Sequence, residues 1–314
     1  MIDSVICREL GIRYPVFQGG MAWIADGRLA AAVSEGGGLG IVAAGNAPAD
    51  TVREQVRIAK SLTNKPFGVN IMLMSPFADE VAQVAAEEKV AVVTTGAGNP
   101  SKYMELWQGA GIKVIPVVAS VAMAKLMTRL GATALIAEGG ESGGHVGELT
   151  TLGVVPLVCD ATDLPVIAAG GIADGRGAAA AFMLGACGIQ MGTRFLSAEE
   201  CSIHPAYKEK ILKARDLSTT VTGKRLGHPV RSLRTNFARR YAKAEYSDIS
   251  DEELEQMGVG ALRLAVQEGD ADRGCFLAGQ SAAMVNRIQP AADIVREVME
   301  GAEEVLKGAS KWVK

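Results

Sequence analysis

The chain has 314 residues, 48% hydrophobic and 21% charged, with 37 glycines and a formal net charge of -3. Such a composition excludes a disordered or fibrous protein and leaves room for two average domains, or for one large α/β barrel with added material. The chain offers no run of about 18 apolar residues, a charged opening segment and five scattered cysteines without a C-x-x-C pair, so a cytoplasmic, metal-free protein with no membrane span and no disulfide framework is expected.

In chain order, short β-branched runs at residues 14–18, 39–43, 67–72, 90–94, 113–118, 134–137, 165–169 and 188–191 predict eight strands. Amphipathic, alanine-rich stretches at 27–35, 50–62, 77–88, 102–110, 121–130 and 175–184 predict helices between them. Buried strands alternating with helices pair in parallel through βαβ crossovers. Eight such units predict an α/β fold, a closed (β/α)8 TIM barrel. The period stops after the eighth strand; from about residue 197 to 279 no further strand–helix unit is legible, and a helical pattern returns near 290–306. The expected organisation is a barrel of residues 1–197 plus 280–314. A smaller, mainly helical domain of residues 198–279 is inserted between the eighth strand and the closing helix and covers the active face.

Chemistry in such barrels sits on the loops that follow the strands, and this chain concentrates glycine there. The loops include Gln18-Gly19-Gly20-Met21, Thr94-Thr95-Gly96-Ala97-Gly98 and Glu138-Gly139-Gly140-Glu141-Ser142-Gly143-Gly144-His145. Ala169-Gly170-Gly171-Ile172 and Gln190-Met191-Gly192-Thr193 follow strands seven and eight. On those last two loops, backbone N–H groups and a helix N-terminus, here near Asp174, form the recurring phosphate site of the fold. Neither a Walker A motif nor a G-x-G-x-x-G after a strand is present, which disfavours P-loop and Rossmann nucleotide sites. No basic motif with interleaved aromatic residues points to a nucleic acid.

His145 ends the glycine-rich sixth loop, a position suited to proton transfer near neutral pH or to capping backbone carbonyls. His204 and His228, each followed by proline, are expected to form turns in the insertion. Asn70, Gln18, Gln190 and Glu138 are polar groups in or at the ends of apolar strands, and they need partners there. No G-x-S-x-G elbow occurs, and Cys7, Cys159 and Cys187 are expected to be structural thiols. A phosphate grip, one acid/base candidate and no nucleophile or metal suit a cofactor that performs the hard chemistry.

The segments Phe17-Gln18-Gly19-Gly20-Met21-Ala22, Phe67-Gly68-Val69-Asn70-Ile71-Met72, Gly96-Ala97-Gly98-Asn99-Pro100, Ala137-Glu138-Gly139-Gly140-Glu141-Ser142-Gly143-Gly144-His145, Ala169-Gly170-Gly171-Ile172-Ala173-Asp174 and Gln190-Met191-Gly192-Thr193 occur in order. Together they closely resemble the flavin-dependent enoyl-[acyl-carrier-protein] reductase II family, within the nitronate monooxygenase-like barrels. The resemblance runs on through Gly227-His228-Pro229-Val230-Arg231, Met257-Gly258-Val259-Gly260 and Leu277-Ala278-Gly279-Gln280 and covers nearly the whole chain. It implies FMN at the barrel mouth, NADH or NADPH as reductant, a trans-2-enoyl thioester on acyl carrier protein as substrate in fatty acid elongation, and a homodimer. Carried over by motif, Gly20, Met21 and Asn70 line the flavin, and Gly170, Gly171, Gly192 and Thr193 grip its phosphate. Gln190 and Glu138 lie near the ring or ribityl chain, and His145 matches the active-site histidine. Ser142, Gly143 and Gly144 form the substrate-side loop, whose N–H groups would stabilise a developing enolate oxygen. Whether His145 donates a proton or positions the thioester stays open at this level.

Two other functions share these features. One is a nitronate monooxygenase that oxidises alkyl nitronates with FMN and oxygen; the other is a non-catalytic flavin- or phosphate-ligand-binding protein. A purine-nucleotide dehydrogenase of the same barrel type is disfavoured, because the loop after strand six lacks the cysteine that chemistry needs. The net charge also conceals an asymmetry: across residues 207–245, eleven Lys and Arg stand against three acids. Such a positive surface is expected to steer an acidic carrier protein or hold the NADH pyrophosphate.

Overall fold

Successive residues on a strand point to opposite faces, and in this chain both faces are apolar, so each strand needs cover on two sides. The computed structural model describes residues 2–312 and supplies that cover with a barrel. Its strands are β1 (Val16–Gln18), β2 (Gly40–Ala43), β3 (Phe67–Met72), β4 (Val92–Gly96), β5 (Lys113–Val118) and β6 (Leu135–Glu138). A two-residue strand outside the barrel, β7 (Gly144–His145), comes next, followed by β8 (Val166–Ala169) and β9 (Gly188–Met191). The eight barrel strands run in the order β1-β9-β8-β6-β5-β4-β3-β2, all pairings parallel. Phe17, Ile41, Ile115, Ile136 and Ile167 share the interior with Ile6 and Leu10 of the helix Val5–Leu10. Their strand neighbours Val16, Leu135 and Val166 pack in the layer between strands and outer helices, as does Val114 on the other half of the barrel.

The seam between β1 and β2 closes the ring. Gln18 N donates to Leu39 O at 3.0 Å and Leu39 N to Val16 O at 2.8 Å. The Gln18 side chain continues the ladder, accepting from Ile41 N at 3.1 Å and donating to Ile41 O at 3.2 Å. The polar group expected to need partners at this strand end is therefore a surrogate peptide that joins two strands.

Helix starts follow the capping residues. Asp26 accepts from Leu29 N at 2.9 Å before the helix Gly27–Glu35, and Ser120 from Met123 N at 3.3 Å before Val121–Arg129. A helix at Thr151–Cys159, absent from the sequence reading, follows β7. The closing helix Ala291–Lys307 lies against Gly27–Glu35 and Gly175–Met183. There Gly175 lets the backbones meet, since a Cβ on it would stand 2.3 Å from the carbonyl carbon of Gly301.

Between β9 and that closing helix lie the helices Pro205–Leu212, Asn236–Glu245, Asp251–Gly258 and Ala261–Gln267, so the insertion is mainly helical as expected. It also holds a hairpin that was not anticipated, β10 (Thr219–Thr222) and β11 (Val230–Leu233). β11 pairs antiparallel with β7, with Val230 opposite His145 and Arg231 opposite Gly144. The insertion thus shares a three-stranded sheet with the loop after β6. No helix among the described residues is long and apolar enough to cross a membrane.

Candidate active site

A cavity of about 660 Å³ opens at the C-terminal ends of the barrel strands. Gly20, Met21, Asn70, Glu138, Ser142, Gly143, Gly144, His145, Gly170, Gly171, Gln190, Gly192 and Thr193 all line it. The fold therefore brings every expected site residue to one chamber, contributed by strands β3, β6, β7 and β9 and by the segments that follow β1, β6, β8 and β9. Near Asn70 the wall is backbone: a Cβ on Gly20 would lie 2.3 Å from the Asn70 Cβ, so this approach tolerates only glycine. The Asn70 side chain donates to Thr94 Oγ1 at 2.9 Å, which fixes the amide and leaves its oxygen free to accept.

The phosphate grip differs from the sequence expectation in one respect. The helix Gly175–Met183 begins after Asp174, but the Asp174 carboxylate already accepts from Arg176 N at 3.0 Å and Gly177 N at 3.1 Å. That helix N-terminus is thus filled by its own cap. The amides of Gly171, Gly192 and Thr193 have no backbone acceptor among the described residues, and the last two open the 3-10 turn Thr193–Ser197. The Thr193 hydroxyl accepts from Gly279 N at 2.8 Å, which ties this turn to the end of the insertion. Gly170 and Gly171 have φ of 97° and 73°, the left-handed region that favours glycine. Thr151 Oγ1 lies 2.9 Å from both Glu141 Oε2 and Gly170 O, stitching the loops after β6 and β8 together.

His145 is presented to the cavity by its strand. Val146 N donates to Pro229 O at 3.0 Å beyond the β7–β11 pair, and Arg231 Nε and Nη2 reach Gly140 O at 3.1 and 2.9 Å. Burial lowers the His145 pKa from its ordinary value, and the nearby His228 lowers it further. His228 itself lines the cavity; its expected role as a turn former alone is corrected. It does sit at a turn, its N–H donating to Gly223 O at 3.1 Å, but that turn delivers an imidazole to the site. The motif Gly227-His228-Pro229-Val230-Arg231 contains it, but its place in the site follows from a strand pairing that joins segments some eighty residues apart. His204 caps the helix Pro205–Leu212, its Nδ1 accepting from Ala206 N at 3.2 Å.

One buried side-chain polar atom on the cavity wall lacks an aligned protein partner among the described residues. Ser142 Oγ is buried beside the Glu138 carboxyl without an aligned hydrogen bond, and burial pushes that carboxyl up to about 7. An orphaned buried hydroxyl, open amides beside positive-φ glycines and a close backbone approach at Gly20 fit a phosphorylated, flat cofactor with polar edges. The thiols do not compete for the chemistry: burial raises the Cys159 pKa and takes Cys187 to about 11, far from a reactive thiolate.

The family model described as nitronate monooxygenase matches residues 4–88 and 75–301. The chain belongs to the nitronate monooxygenase family. The solved structure of FabK from Thermotoga maritima is 49% identical and superposes with a TM-score of 0.97 over 100% of both chains. Within the family this is a FabK-like flavin oxidoreductase. The chain is also similar to a (3aS,4S,5R,7aS)-5-hydroxy-7a-methyl-1-oxo-octahydro-1H-indene-4-carboxyl-CoA dehydrogenase of Rhodococcus jostii (strain RHA1), 39% identical over 235 residues, 75% of this chain and 67% of the relative. A nitronate monooxygenase of Pseudomonas aeruginosa is 31% identical over 342 residues, 93% of this chain and 97% of its own.

Proposed function

We propose that the chain is an FMN-dependent enoyl-[acyl-carrier-protein] reductase that reduces trans-2-enoyl thioesters with NADH or NADPH in fatty acid elongation. The observation that carries this reading is the full-length likeness to FabK, at 49% identity and a TM-score of 0.97. The thioester named for the Rhodococcus relative supports the same substrate chemistry. A homodimer fits the helix Thr151–Cys159, apolar on all sides yet leaving Leu152 70% and Leu157 49% exposed, because a helix apolar all round is normally covered.

A flavin held in the cavity would supply hydride transfer from NADH to the enoyl β-carbon, and a proton from His145 or solvent would complete the α-carbon. The amides of Gly171, Gly192 and Thr193 would hold its phosphate without help from a cation, since no Lys or Arg is among the cavity-lining residues. Gly20 and Asn70 would shape one wall of the ring site. His145, whose pKa desolvation and the nearby His228 both lower, is suited as a neutral imidazole to donate an N–H hydrogen bond to the thioester oxygen. The N–H of Gly143 stands beside it on the same loop, where developing enolate charge would be stabilised, whereas Gly144 is committed to the pairing with Arg231. The pKa direction sets the pH dependence: neutral imidazole is lost as pH falls through the lowered pKa, so enoyl reduction falls on the acid side, below the ordinary imidazole range.

Anaerobic stopped-flow tests the reading directly. NADH should bleach the flavin absorbance, and a crotonyl thioester should restore it within a turnover. Turnover of a nitronate with oxygen, and no recolouring by the thioester, would sink it. His145→Ala should keep its flavin and recolour roughly 100-fold more slowly; an unchanged rate would remove His145 from the reaction.

A further inference from the structure

Glu138 ends β6 with its side chain in the cavity, where it is the one carboxylate among the lining residues described. No Lys or Arg lines that space. The other ionisable groups facing it are His145 and His228 at the mouth. Charged groups on the neighbouring segments are engaged elsewhere: Glu141 accepts from Thr151 N at 2.8 Å, and Arg231 donates to Gly140 O at 2.9 Å. Ser142 Oγ, beside Glu138, is buried and has no aligned hydrogen-bond partner.

A carboxylate here faces no counter-charge, and a ligand that fills the cavity would strip its water as well; a carboxyl in that position neutralises instead. Burial is the main cause of its rise to about 7, and Ser142 offsets it in part. A neutral carboxyl, unlike a carboxylate, has an O–H to donate. The isoalloxazine edge offers ring nitrogens and carbonyl oxygens as acceptors. A carboxylate facing those atoms would set two acceptors against each other.

We propose that Glu138 is the protonated wall of the flavin site, donating its O–H to an acceptor atom of the bound flavin while Ser142 supplies a second polar contact. The inference rests on the flavin reading of the cavity and adds to it a proton taken up when the cofactor binds. Contact with the flavin holds the proton more firmly than the empty wall does. Affinity is therefore full below the carboxyl's free pKa and is lost as pH rises above it.

The test is FMN release from the full-length holoenzyme on dilution, followed by the fluorescence of freed FMN between pH 6 and pH 9. For the native chain the Kd should climb by up to about tenfold per pH unit above neutrality. Glu138→Gln keeps a donor and cannot titrate, so its Kd should stay within about twofold over the same range, too small a change for a linked proton. Equal pH dependence in the two proteins, or a flat native profile, would overturn the proposal. Should Glu138→Gln fail to fold, calorimetric titration of FMN into native protein at about pH 8, where the phosphate is already dianionic, gives the proton count in two buffers of different ionisation enthalpy. Net uptake is expected, and zero uptake overturns the inference. Tight FMN binding without proton linkage refutes this inference alone, whereas no FMN binding at any pH refutes the flavin reading with it.

Discussion

Two imidazoles share the mouth of the cavity, and the charge on one governs the proton on the other. His228 lowers the pKa of His145, so His228→Ala should raise it and shift the acid limb of the kcat/KM profile to higher pH. The His145 ring resonances followed by NMR across the titration check the same shift, and an unmoved profile would break the coupling. At this scale much of the site was legible, because glycine clusters and polar residues in apolar strands leave a trace in one dimension: Gly20, Asn70, Glu138 and His145 all line the cavity. Gln18 shows the limit. Its polarity marked a need for partners, but only the register of β1 against residues 39–41 reveals a strand-joining amide in place of a ligand contact. His228 was hidden for a related reason, since its neighbours in the site come from a different part of the chain.

Among the elements, the closing helix depends on one absent side chain. Gly175→Ala would drive a methyl into the backbone of Gly301, and the helix Ala291–Lys307 must then shift or tilt. A loss of roughly 1–3 kcal/mol is expected, read as a lower thermal midpoint. Gly109→Ala, where a Cβ meets nothing within 4 Å, is the control and should be neutral or stabilising by up to about 1 kcal/mol. The barrel strands were legible because apolar runs recur at regular intervals and, after β1, β2, β4, β6, β8 and β9, end in glycine at the active-face loop. The helix Thr151–Cys159 was not, since Pro156 and Gly153 interrupt its pattern and its apolar residues surround it without a polar face. β7 has only two residues, and β10 and β11, joined by a seven-residue turn, lack the continuous apolar run that marked barrel strands of the same length.

The whole molecule redistributes the positive charge that the sequence concentrates in residues 207–245. Arg225 pairs with Asp251 at 2.8 Å, Arg231 holds Gly140 O, Arg234 donates to Thr219 O at 3.0 Å and Lys208 to Ala198 O at 2.6 Å. Much of the expected docking surface is therefore internal scaffolding. Arg239 and Arg240 remain on the exposed side of the helix Asn236–Glu245, Arg240 Nη2 donating to Asp272 O at 2.5 Å. Their joint reversal to Glu should slow turnover of a carrier-bound enoyl chain more than that of its coenzyme A analogue; equal losses would leave no steering role for this helix. The late return of the chain to close the barrel has a consequence during synthesis. The last barrel strand ends at Met191, but Ile294, Val295 and Val298, which cover the helices Gly27–Glu35 and Gly175–Met183, emerge from the ribosome about a hundred residues later. At roughly 5–20 residues per second, the nascent barrel presents that bare apolar groove for several seconds, a window in which a chaperone, or a second growing chain, meets it before its own helix does.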